Sequence, residues 1–111
     1  MARWTVSDSI NNLSSLSGIN RVLHEPVRLQ IAALLYTLES AEFIFVMNQL
    51  GLTWGNLSAH LSKLEDAGYV QVIKGYKGKR PQTMLNLTRE GRDAFREYTH
   101  AMRELFKNLP D

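Results

Sequence analysis

The side chains best suited to proton transfer or metal ligation are His24, His60 and His100, and they lie far apart in a chain of 111 residues that has no cysteine. Neither a metal-ligand spacing nor a nucleophile motif accompanies them. "HEP" at 24–26 is not a metalloprotease helix, and "GYKGKR" lacks the ordered glycines and Lys-Ser/Thr of a phosphate loop. The N-x-S/T matches at Asn12, Asn56 and Asn86 carry no information without a secretion signal. Catalytic residues, metal ligands and cofactors are therefore expected to be none. What remains is hydrogen bonding and positive charge. "TWGNLSAHLSKLEDAGYV", Thr53 to Val70, intersperses leucines with small polar residues, and just beyond it the chain turns basic. From Ala67 to Arg89 there are five basic residues, Lys74, Lys77, Lys79, Arg80 and Arg89, and no acid; Met1 to Asp66 carries four basic and six acidic residues.

The elements that must position these groups follow from periodicity. Pro26 suits the first turn of a helix on which Val27, Ile31, Leu34, Leu35 and Leu38 line one buried face. After an "ESAE" break, Phe43, Val46, Met47 and Leu50 repeat at helical spacing until Gly51, in a segment too short to be stable without tertiary packing. Thr53 offers an N-cap, and Leu57, Leu61 and Leu64 form the stripe of a third helix stopping at Gly68. The "GLT" link joins the two as in a helix-turn-helix. "YVQVIK" and "TMLNLT" alternate at strand period, with "GYKGKRPQ" between them as a hairpin loop. Thr88 caps a last helix running to about Leu109. Residues 1–18 are polar, with Trp4, Ile10, Leu13 and Leu16 as anchors; a short docking helix and a frayed tail are both compatible with that spacing.

An apolar fraction of 44% over this length suits a single core. The net charge of +2 names no partner, although a pI near 9.1 keeps nucleic acid in consideration. The N-terminal "MARWTVSDSINNLSSLSG" has one arginine and no apolar run, and "IAALLY" and "FIFVM" are far short of a membrane span. A soluble cytoplasmic protein is expected, with no membrane association.

Three helices, a hairpin and a further helix, in that order, describe an α+β, mostly helical fold: a winged helix-turn-helix with a two-stranded wing and a long C-terminal helix. From "HEPVRLQIAALL", "LTWGNLSAHLSKLEDAGYV" and "KRPQTMLNLTREGRDAF" the sequence resembles winged-helix transcriptional regulators of the ArsR and MarR type, over about Ile19 to Leu109. The metal-binding ArsR branch uses cysteines that this chain lacks, so metal sensing is not implied. The resemblance implies a winged-helix unit over 19–88, a dimerisation helix over 89–111, and transcriptional regulation through double-stranded DNA. It places Thr53–Val70 as the recognition helix. At 100° per residue the leucines cluster in one arc, which leaves Asn56, Ser58, Ala59, Ser62 and Lys63 to face a major groove, with Trp54 near sugar or phosphate. An ordinary solvated face is the alternative reading of the same pattern. His60, beside the leucine stripe, is expected half-buried, and Glu65 and Asp66 mark the end that leaves the groove. Lys74, Tyr76, Lys77, Lys79 and Arg80 form the wing, where Arg80 can enter a minor groove.

On the last helix, Phe95, Tyr98, Met102, Leu105 and Leu109 alternate spacings of three and four, and Phe106 widens that seam. Folding back on its own core is one use for it; resemblance to dimeric relatives implies a homodimer acting as a regulator, most simply a repressor. Any small-molecule effector would sit in the dimer interface or a cleft. A winged helix serving as a protein-protein interaction module, its basic wing on an acidic partner, is the competing function.

Overall fold

Pro26 opens α1 (Pro26–Leu38), and the Glu25 carboxylate caps it by accepting the Arg28 N–H at 2.7 Å. Proline costs nothing at this position, because its missing N–H would have had no helical partner. The computed structural model describes residues 18–110, so the docking-helix reading of the N-terminal segment falls outside the described residues except for Gly18. Ile31 and Leu35 are buried as the periodicity predicts, joined by Ala32, while Val27 and Leu34 are half-buried and Leu38, assigned to the same face, is exposed in the last turn.

The "ESAE" break proves to be structured. Glu39 takes φ 67°, ψ −46°, unusual for a residue with a Cβ. Two main-chain bonds hold it: its N–H donates to Leu35 O at 2.7 Å, and its carbonyl accepts Leu87 N–H at 3.3 Å. The reversal feeds β1 (Ser40–Glu42), which passes directly into α2 (Phe43–Leu50). Gly51 closes α2 in the left-handed region at φ 65°, where a side chain would be strained. Thr53 then caps α3 (Trp54–Asp66), its hydroxyl accepting the Asn56 N–H at 3.1 Å, and Leu57, Leu61 and Leu64 are buried.

β2 (Val70–Lys77) and β3 (Arg80–Leu87) are longer than the alternating segments suggest, since the turn is only Gly78 and Lys79. Gly78 has φ 65°, which suits the first central position of a tight hairpin turn. Pro81 made the stretch look like loop. In the structure Pro81 faces Tyr76 one pair beyond the turn, and β1 pairs with β3 only at 84–86, so no neighbouring strand needs its missing N–H. The sheet is antiparallel with order β1-β3-β2, so the expected two-stranded wing is extended at its base by a third short strand.

α4 (Arg89–Lys107) begins at Thr88, whose hydroxyl accepts the Gly91 N–H at 3.0 Å and donates to Gly68 O at 2.6 Å. The helix enters so closely that a Cβ on Gly91 would collide with the Tyr69 carbonyl oxygen and lie 2.8 Å from Leu87 Cδ1. Leu23, Ile31, Leu35, Val46, Leu57, Leu64 and Leu85 form the fully buried centre, to which α4 adds Ala94 and Tyr98. Each such large side chain contributes roughly 1.5–3 kcal/mol of burial. Asn20 ties the entry segment down, accepting from Val22 and Leu23 N–H and donating to the Tyr69 hydroxyl at 2.7 Å.

Candidate nucleic-acid interface

With its leucines fixed in the core, α3 can present only its other side, and Trp54, Asn56, Ser58, Ala59, Ser62 and Lys63 are all exposed there. Trp54 is 59% exposed, yet its ring packs on Phe43 at 4.4 Å between centroids, tilted 44°. A large aromatic surface is thereby held at the helix start while remaining open to solvent.

The two flanks of α3 differ. On one, His60 is half-buried against α1, with Nδ1 3.6 Å from Glu25 Oε2 and 3.4 Å from Arg28 Nη1. Burial works to raise the Glu25 pKa, but the N–H groups of Arg28 and Val27, the charge of a protonated His60 and the Arg28 guanidinium outweigh it and hold the carboxyl below its usual 4.5. On the other flank, Ser58 and Ser62 face the sheet across a cleft of about 230 Å³ that Trp54, Lys74 and Thr83 also line.

Register explains that cleft. Residues directly opposite in an antiparallel pair share a face, so Val70, Val72, Lys74 and Tyr76 of β2 join Leu87, Leu85, Thr83 and Pro81 of β3. The inner part of this face is core; its outer part runs from Lys74, which lines the cleft against α3, to Tyr76 nearer the wing tip. Lys77 and Arg80 alternate onto the opposite face, and Lys79 sits at the turn. The five wing residues are exposed, but they do not form one surface. Lys77 and Arg80 line a second cleft with Ile44 and Trp54, in which Gln82 Nε2 donates to Glu42 Oε1 at 2.6 Å. A carboxylate from β1 thus approaches a wing whose own sequence has none. Thr83, Gln82 and Glu42 were not singled out from the sequence; alternation places Thr83 beside Lys74 once the register is known, whereas Glu42 reaches the site only through β1.

Of the C-terminal seam, Tyr98 and Leu105 are buried, and Phe95 and Met102 pack partly against the core. Tyr98 bonds His24 Nδ1 through its hydroxyl at 2.8 Å, and Phe95 lies 4.9 Å from the Tyr36 ring. The seam is therefore partly used within the chain itself. Phe106, 61% exposed, and Leu109 remain open.

No group of three or more metal-binding side chains occurs among the described residues, and no helix among them is long and apolar enough to cross a membrane.

Comparison with known proteins bears on the family and the fold. An uncharacterized protein of Methanocaldococcus jannaschii is 40% identical over 89 residues, covering 80% of this chain and 97% of that protein. A transcriptional regulator homologue from Pyrococcus horikoshii OT3 superposes with a TM-score of 0.82 at 28% identity, over 91% of this chain and 99% of that one. NadR in complex with 4-hydroxyphenylacetate gives a TM-score of 0.60 at 25% identity, over 91% and 67% of the two chains. Residues 27–106 match the model of the winged helix DNA-binding domain, so the chain belongs to that family and shares its fold with MarR-type transcriptional regulators.

Proposed function

We propose that the protein binds a specific duplex site as a homodimer and represses transcription by occupying it. The observation that carries this reading is the α3 surface: every sizeable apolar side chain of the helix except Trp54 is buried, and what remains outward is small or hydrogen-bonding. Such a surface fits a groove that bulky groups would hold at a distance. Asn56, Ala59 and Lys63 face base edges, Ser58 and Ser62 meet the DNA from the wing side of the helix, and Trp54 packs on sugar at the helix start. Lys74 and Tyr76 follow the backbone beside α3. Lys77, Lys79 and Arg80 carry the wing onto the adjacent minor groove.

Phe106, Leu109 and the outer edges of Phe95 and Met102 supply the dimer contact, and twofold symmetry sets two α3 helices about 34 Å apart. An α1–α4 cleft of about 300 Å³, lined by Leu29, Phe95, Met102 and Phe106 among others, borders that contact. A small aromatic effector placed there would bear on the dimer; support comes from NadR having been solved with 4-hydroxyphenylacetate.

Footprinting on a bound duplex tests the proposal. Protection should appear as two major-groove windows one helical turn apart, each flanked by minor-groove protection from a wing. A single continuous window with no internal symmetry would exclude the paired arrangement.

A further inference from the structure

Gly55 lies in the first turn of α3, where glycine loses more conformational freedom on folding than alanine would. Nothing among the described residues requires it: its φ is not positive, and a Cβ there would meet none of their atoms within 4 Å. Gly91, the other helical glycine, is required by Tyr69 and Leu87. The open space at Gly55 fits close approach from outside. It also singles out the N-terminal half of α3 as the part that goes deepest, since Glu65 and Asp66 crowd the other end with negative charge.

The side chains beside Gly55 have narrow base preferences. Asn56 is exposed; its backbone N–H is fixed by Thr53, and its side-chain amide makes no hydrogen bond among the described residues. An asparagine amide matches adenine N6 and N7 together. Ala59 lies nearly opposite the Leu57, Leu61 and Leu64 stripe, so its methyl is the outermost apolar group of the helix. In a major groove its natural counterpart is the thymine methyl. No arginine is present in α3, and Lys63 is its only lysine. From Asn56 the helix rises about 4.5 Å to Ala59 and about 10.5 Å to Lys63, against roughly 3.4 Å per base pair.

Resting on the duplex-binding proposal above, we infer that α3 is a reader of A·T pairs. Asn56 takes an adenine through N6 and N7, Ala59 packs on a thymine methyl one or two pairs away, and Lys63 reaches a guanine or phosphate roughly three pairs from the adenine. Specificity resides in Asn56 and Ala59, while Gly55 permits their approach.

The test uses a site selected from random duplexes by the full chain, then measures binding by fluorescence anisotropy. Replacing the relevant thymine with uracil removes one methyl group and should weaken wild-type binding about 4-fold. In Ala59→Gly, shown folded by circular dichroism, that uracil penalty should vanish. Asn56→Ala should lower affinity at least about 5-fold and lose the adenine preference at one position, leaving the others intact. An enriched site whose binding ignores both the uracil change and Asn56→Ala would overturn the A·T assignment while leaving duplex binding standing. Failure to enrich any site would instead overturn the duplex-binding proposal, and the assignment with it.

Discussion

The two glycines of the helices make opposite demands on a methyl group, and the same substitution separates them. At Gly91 an added Cβ meets Leu87 Cδ1 and, more closely, the Tyr69 carbonyl, a backbone group that cannot retreat without opening the junction between α3, β2 and α4. Gly91→Ala should cost about 1–3 kcal/mol, seen as a lower Tm. At Gly55 the methyl enters open space, so Gly55→Ala should raise stability by less than the roughly 0.5–1 kcal/mol of a mid-helix site while weakening DNA binding. Stabilisation without loss of affinity would mean that DNA does not approach Gly55 closely. Glu25 gives a pH dependence of known sign. Its folded pKa lies below the unfolded value near 4.5, so its contribution is full above that value and is lost as pH falls through the lower folded one. Thermal unfolding of Glu25→Gln should therefore show a shallower loss of stability on acidification below about pH 4.5 than the wild type.

At the scale of elements, the proposed recognition divides between α3, with a single lysine, and a wing that carries Lys74, Lys77, Lys79 and Arg80. Lys79→Ala and Arg80→Ala should each reduce the slope of log affinity against log salt by about 1 if each contacts a phosphate. An unchanged slope would remove that residue from the backbone contacts. The helices, their caps and the existence of a hairpin were legible because each depends on local spacing: Leu57, Leu61 and Leu64 for α3, Thr53 and Thr88 as hydroxyl caps, Gly51 and Gly68 as stops. β1 was not, because Ser40–Glu42 has no strand pattern of its own and exists by pairing with Met84, Leu85 and Asn86, far along the chain. Pro81 hid the reach of β3 for a related reason: whether a proline suits a strand depends on which neighbours that strand has. The same non-locality concealed how the wing cations divide between two faces, and the approach of Glu42 to Gln82.

At the scale of the whole molecule, the seam on α4 was legible as an apolar stripe, but its period could not say which residues the protomer uses itself. Tyr98 goes to His24 and the core, Phe95 to Tyr36, and Phe106 and Leu109 stay open. Phe106→Glu should shift sedimentation from dimer to monomer with little change in the protomer's helicity, because that side chain lies outside the core. A wild type that sediments only as a monomer at micromolar concentration would contradict the dimer. Selection of random duplexes by the purified protein joins the scales, since it registers base preference, half-site spacing and symmetry together. The expected result is an inverted repeat with half-site centres about 10–10.5 base pairs, or a multiple, apart. Enrichment of no sequence over the starting pool would contradict specific duplex recognition by this chain.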